Sequence, residues 1–432
     1  MAARFLSQVQ VLAGPDQPLH HRDVLLEDGV LIGFDQAAAD ESQRRGLVPL
    51  AAHDWLLAPA LVDPHSTLEE PFSGQAETLA SLVASAAAAG YGTVALLPRA
   101  ASWRDRPERL QLQAPDPFTL PLWGAFSRGG RGQELAPHGD LAAAGAIGLA
   151  EDGSLPPLAL LERGLRLSEA GALPVLLAPR DPDLTLGGFV RESVEALRAG
   201  WPLDPVLSET LPLQILLQLA RSLPDAPLRL ANLSTAAGVE LLRSSGLPLQ
   251  ASVCWWHLVA DSGCLDPLAE GWRLEPSLGS PEDRHALIEA LADGVLTAVA
   301  VHHLPLDAEE RLLPLDQRRP GLAGHRQVLP ALWQELVVKR GWSPALLWER
   351  LCWGPTRLLG LAADTLEPGS RRWLLFDPAA CWQVSGDAYA SRGANQPFEG
   401  ESLTGQVLAT GLLPELWRGP LDRWPDGVEP LA

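Results

Sequence analysis

Four side chains in this 432-residue chain are of the kinds that grip a divalent metal ion, and each stands just past an apolar run. They are His65 in Val62-Asp63-Pro64-His65-Ser66-Thr67, Asp152 in Glu151-Asp152-Gly153, and the pair His302-His303 in Val301-His302-His303-Leu304. Imidazole and carboxylate are zinc ligands, and zinc so held lowers the pKa of its bound water towards neutrality and polarises a carbonyl. Gathered in one place, His65, Asp152, His302 and His303 would form a hydrolytic centre. Each also has a plainer reading. A histidine with two or fewer partners is more often simply hydrogen-bonded, and Glu-Asp-Gly is an ordinary turn sequence in which Asp152 caps a loop. Cys254-Trp255-Trp256-His257 brings a thiol and an imidazole close in sequence, as a nucleophile and its base would be, but that spacing does not put them within hydrogen-bond reach, so a structural role is preferred.

Eight short apolar runs alternate with helical stretches from about residue 57 onward: Leu57–Val62, Thr93–Leu97, Leu120–Gly124, Ala146–Leu149, Pro174–Ala178, Leu228–Asn232, Leu247–Val253 and Leu296–Val301. The intervening segments Gln75–Ala89, Leu155–Ala170, Ala236–Ser245 and Pro281–Ala292 carry polar positions at helical spacing. Eight such βα units predict an α/β fold, a closed (β/α)8 TIM barrel whose reacting centre lies at the C-terminal ends of the strands. Val24–Phe34, Trp373–Phe376 and Ser402–Thr410 read as strands outside it. The expected organisation is a small β domain shared by residues 1–56 and 366–432, with the barrel at 57–365. Arg311–Gly321 reads as a solvated loop.

Composition narrows the partners. A formal charge of −20 and a pI near 4.9 argue against nucleic acid, which demands a positive surface. No apolar run reaches the length of a membrane span, and no secretory signal is evident at Met1–Gln10, so a soluble, cytoplasmic protein is expected. Cys254, Cys264, Cys352 and Cys381 lack CxxC spacing, which suits a reducing compartment. Trp201, Trp255, Trp256, Trp333, Trp342, Trp348 and Trp353 are expected mostly in the core, with some free to anchor a partner.

The segment Val62-Asp63-Pro64-His65-Ser66-Thr67-Leu68-Glu69-Glu70-Pro71 resembles the dihydroorotase signature Asp-x-His-x-His-x-Arg-Glu-Pro, of the amidohydrolase superfamily. Gly92-Thr93-Val94 before Pro98-Arg99-Ala100, Ala146–Gly153, Leu233-Ser234-Thr235-Ala236, Pro281-Glu282-Asp283-Arg284 and Pro397-Phe398-Glu399-Gly400 follow in the family's order. The resemblance implies a metal site in which His65 and Asp152 are remnants, while Thr67, Ala178 and Asn232 stand where histidine ligands belong. His302 takes the position of the catalytic Asp. Among substrate-binding positions, Glu69 replaces an arginine that would hold a carboxylate, Arg99 an Asn, and Glu275 and Gly279 an Asn and an Arg. Lys339, the single lysine, falls in a helix after the last strand and offers no carboxylated bridge. The resemblance therefore implies a silent homologue without a cofactor, a structural or regulatory partner in pyrimidine biosynthesis that assembles with aspartate carbamoyltransferase or with itself. The alternative is a cyclic-amide hydrolase, dihydroorotase or divergent, whose zinc site is rebuilt around His65, Asp152, His302 and His303.

Overall fold

The computed structural model describes residues 3–264, 269–386 and 389–420; the last twelve positions assigned above to the small β domain lie outside the described residues. Its strands are, in chain order, β1 Arg4–Val11, β2 His20–Glu27, β3 Val30–Phe34, β4 Leu50–Ala51, β5 Leu56–Pro59, β6 Leu61–Ser66, β7 Tyr91–Leu96, β8 Trp123–Ala125, β9 Gly148–Glu151, β10 Val175–Leu177, β11 Val190–Arg191, β12 Leu203–Asp204, β13 Leu228–Leu230, β14 Gln250–Cys254, β15 Ala298–Ala300, β16 Trp373–Gln383 and β17 Ser402–Thr410.

The barrel is built as the apolar runs predict. Strands β8, β9, β10, β13, β14 and β15 form one parallel path, β6 pairs in parallel with β7, and bridges from Thr93 to Thr119 and from Leu96 to Leu122 lead β7 on towards β8. Every residue of β6, β7, β9 and β10 is buried, which is why these strands read as continuous apolar runs: helices cover one face and the barrel interior the other. Helix signals also sit where the sequence has them. Ser280 and Asp283 form a reciprocal capping box with Pro281 in the first turn of Pro281–Ala292. Thr235 caps Ala236–Ser245, which ends on Gly246 at φ +64°, a left-handed position that a side chain would strain.

One run divides differently from the expectation. Leu57–Val62 holds two strands: β5 lies between β1 and β16 in the small sheet, and the barrel strand β6 begins at Leu61. The Ala60 amide, bonded to the Arg372 carbonyl at 3.1 Å, marks the turnover from one sheet to the other. That sheet runs β17-β16-β5-β1-β2-β3, with β4 on β1, so the far ends of the chain share one layer around Leu6, Val9, Leu57, Trp373 and Leu375. The tryptophans are core as expected: Trp255, Trp256, Trp333, Trp348 and Trp353 are buried, and Trp201 and Trp342 pack on the same cluster.

Candidate functional site

The ring is closed between β6 and β15 by side chains. Asp63, fully buried, accepts from the Val301 amide at 3.0 Å, from His325 Nε2 at 3.0 Å and from the Ser66 hydroxyl. Ser66 Oγ in turn accepts from the His303 amide at 2.8 Å, and the Thr67 amide donates to the His303 carbonyl at 2.8 Å. Burial works to raise the Asp63 pKa, but the contacts with His325, Ser66 and His65 together outweigh it and hold the carboxyl below its ordinary value. Asp63 belongs to the signature quoted above, yet sequence reasoning gave it no role, and His325 was missed altogether. A carboxylate on a barrel strand was the available signal.

At the mouth, His65, Asp152, Ala178, Asn232, Glu275 and His302 line one cavity. Asn232 and His302 both have left-handed backbone, at φ +49° and +50°, a region that Asn and His enter more readily than most residues. His65 Nδ1 lies 3.2 Å from His302 Nδ1, and His65 Nε2 lies 2.8 Å from Ser252 Oγ, which also accepts from the Asn232 amide at 3.0 Å. In either tautomer both nitrogens of His65 are engaged within the protein. Burial, reinforced by the facing His302, pushes the His65 pKa down to about 3. Burial and the Arg99 charge push that of His302 down to about 4.

Asp152 Oδ2 pairs with Arg99 Nη2 at 3.2 Å, and Glu275 Oε1 pairs with Arg180 Nη1 at 3.1 Å. Asp152 Oδ1, Asn232 Oδ1 and the buried Thr67 Oγ1 have no hydrogen-bond partner. The remaining space is small: about 20 Å³ is open to the centre of a water molecule, room for one or two waters. A neighbouring cleft lined by Glu69, Phe72 and Arg104 offers about 590 Å³ by the same measure.

Several expected site residues lie elsewhere. His303 turns away from the cavity; its Nδ1 accepts from the Gly324 amide at 3.2 Å and its Nε2 faces Glu77 Oε2 at 3.4 Å. The four-residue metal group of the alternative reading is thus not assembled, because His303 is taken up by the Gly324 amide and Glu77. Glu69 projects over the rim to Arg319 Nη1 at 2.9 and 3.0 Å, so the loop expected to be merely solvated returns an arginine to the mouth. Gly279 packs beneath the helix start at Pro281, where a Cβ would come within 2.6 Å of Asp283 Cβ. Cys254 and His257 form no pair. The thiol is buried, with its pKa pushed up to about 12, and His257 Nε2 lies 3.2 Å from the Ser277 carbonyl. Sequence reasoning also missed Arg180, Arg191 and Glu209, all on the cavity wall.

A divalent ion needs several lone pairs converging on one point. Here threonine, alanine and asparagine stand at the three positions where the resemblance implies histidine ligands, His65 is turned to Ser252 and His302, and Asp152 is held by a guanidinium. Among the described residues no three His, Cys, Asp or Glu side chains are grouped to hold a metal ion. These residues do not fit the zinc that the resemblance implies. No helix among the described residues is long and apolar enough to cross a membrane.

No protein-family model matches the chain. Among curated proteins it is 35% identical over 402 residues to a probable dihydroorotase-like protein of Synechocystis sp., covering 83% of this chain and 89% of that one. It is 31% identical over 402 residues to a dihydroorotase of Anaeromyxobacter dehalogenans, covering 90% and 92%. Among solved structures, a D-hydantoinase (dihydropyrimidinase) from Thermus sp. superposes with a TM-score of 0.75 at 16% identity over 94% of each chain. The L-hydantoinase (dihydropyrimidinase) from Arthrobacter aurescens gives 0.73 at 18% identity, over 95% of this chain and 94% of that one. These last two likenesses establish a shared barrel and accessory sheet.

Proposed function

The chain belongs to the dihydroorotase family of amidohydrolases, and from that premise we propose that it is a catalytically silent member, kept as a structural or regulatory partner in pyrimidine biosynthesis. One observation carries the reading: His65, His302 and one oxygen of Asp152, at the ligand and proton-transfer positions, are taken up by protein groups instead of facing a substrate. His65 is hydrogen-bonded to His302 and Ser252, and Asp152 is ion-paired with Arg99, Glu275 with Arg180 and Glu69 with Arg319, around a cavity with room for one or two waters. Loss of a positioned proton-transfer group alone lowers a rate by about 10²–10⁴, and Glu69 meets a substrate carboxylate with repulsion where the family pattern has attraction. Aspartate carbamoyltransferase is the first partner to test, because silent homologues that this chain resembles assemble with that enzyme; self-association is the second. A cytoplasmic site follows from the same reading.

The test joins three measurements on the native protein. Metal analysis after growth with zinc is expected to give far less than one ion per chain, carbamoyl aspartate is expected to remain uncyclised, and affinity capture at native abundance is expected to bring down aspartate carbamoyltransferase. Stoichiometric zinc with turnover of a cyclic amide would replace this reading with the rebuilt hydrolase. A chain that emerges alone under mild conditions would remove the partner.

A further inference from the structure

Asp152 poses an electrostatic problem that the rest of the mouth does not solve. Its side chain is 4% exposed, and a carboxylate taken out of water requires a countercharge. His65 and His302 face each other instead, Nδ1 to Nδ1 at 3.2 Å, and neither forms an ion pair with Asp152. Arg180 is drawn to Glu275, and Arg191, 1% exposed, to Asp204 and Glu209. Among the described residues Arg99 alone forms an ion pair with Asp152. It comes from the loop after β7, at the position where the family pattern has an Asn. The next residue, Gly153, keeps its path clear, because a Cβ there would lie 3.2 Å from Arg99 Nη2, tighter than ordinary contact.

We propose that the Arg99 guanidinium takes over the electrostatic duty of the family's cation: it neutralises Asp152 and holds the barrel mouth in its closed form without metal. Arg99 is thus a positioning residue. A planar, permanently charged fork suits this duty, because it can neutralise a carboxylate without the converging lone pairs that an ion demands. The inference rests on the reading that no divalent ion binds at Asp152, and metal analysis tests that reading separately.

The experiment compares the midpoint of thermal unfolding, at one scan rate, for the native chain and for Arg99→Met, Arg99→Lys, Asp152→Asn and the Arg99→Met/Asp152→Asn pair. Arg99→Met is expected to lower the midpoint by about 5 °C or more. Arg99→Lys, which keeps the charge, is expected to recover most of that loss. The double variant is expected to stand well above Arg99→Met, since removing the carboxylate removes the need for the guanidinium. Should Arg99→Met fail to fold while the double variant folds, the proposal is supported in stronger form. An unchanged Arg99→Met, or a double variant as unstable as or less stable than Arg99→Met, overturns it. So does a zinc-induced rise in the native midpoint that Asp152→Asn abolishes.

Discussion

Asp63→Ala should be among the most damaging single changes in the barrel, and the size of the loss can be worked from the contacts. Three donors converge on this carboxylate: the Val301 amide at 3.0 Å, His325 Nε2 at 3.0 Å and the Ser66 hydroxyl. A buried donor left without an acceptor costs about 1–3 kcal/mol. The hydroxyl can rotate towards another acceptor, so the expected loss is set mainly by the other two donors, about 2–6 kcal/mol. Against a typical total stability of about 5–15 kcal/mol, that is enough to empty much of the folded population. Asp63→Asn keeps one oxygen for the Val301 amide, and its new N–H₂ can face His325 once the ring proton moves to Nδ1, which now has no partner. Asn should therefore cost about 1–2 kcal/mol. Urea titration followed by circular dichroism measures both, provided the slopes of the transitions agree. An alanine variant within 1 kcal/mol of native, or one less damaged than the asparagine variant, would show that the carboxylate does not hold the ring closed.

Acid should weaken the fold before any carboxylate of ordinary pKa is protonated. Burial pushes His65 down to about 3, and His257 and His302 down to about 4, from the ordinary imidazole value of 6.5; His138 and His325 are lowered as well. The unfolded chain takes up those protons below pH 6.5 and the native state does not, so stability falls as pH drops from 6.5 towards 4. Glu151, pushed up to about 7 by burial, and Glu209, also raised, act in the opposite sense. The three strongly lowered histidines against Glu151 alone give a net slope on the order of 3 kcal/mol per pH unit at its steepest. Midpoints measured between pH 7.5 and 5 test this, and His257→Gln should flatten the profile; a profile level or rising towards acid would refute it. Arg191→Met should cost about 3–5 kcal/mol, because it strands Asp204 and Glu209 beneath the cavity, and a loss under 1 kcal/mol in urea would contradict that. Arg319→Ala breaks half-exposed pairs with Glu69 and Glu310 and should change stability by no more than about 1 kcal/mol. A larger change that survives 1 M salt would mean that the loop, rather than the charge, carries the effect.

What could be read in the sequence divides along physical lines. Strand and helix positions in the barrel were legible because burial on both faces leaves continuous apolar runs, and because Ser280, Pro281 and Asp283 write a helix start locally. The split of Leu57–Val62 at Ala60 was not, since an apolar run carries no mark of which sheet takes each half. The first strand, Arg4–Val11, was missed for a related reason: it is held by partners distant in sequence, and an N-terminal octet offers little periodicity by itself. At the site, the positions where the resemblance implies histidine ligands could be named from the motif alone. Their new partners could not. Ser252 beneath His65 pairs two barrel strands, and Arg180 on Glu275 and Arg319 on Glu69 pair loops, all between segments distant in sequence and fixed by the closure of the ring.

Those pairings decide how the site could be regained. Placing histidine at 67, 178 and 232 would return imidazoles, and position 232, at φ +49°, accepts histidine more readily than most residues. Yet Asp152 would still be claimed by Arg99, His65 by Ser252 and His302, and the substrate carboxylate would still meet Glu69. Thr67 is fully buried and the cavity holds one or two waters, so a larger ring there has no space unless neighbours move. The substitutions share contacts and so cannot contribute independently. The triple histidine variant alone should bind zinc poorly and leave carbamoyl aspartate uncyclised. Tight stoichiometric binding by that variant would mean that the contacts of Arg99 and His302 yield to a metal, and that closure of the mouth is weaker than its geometry implies.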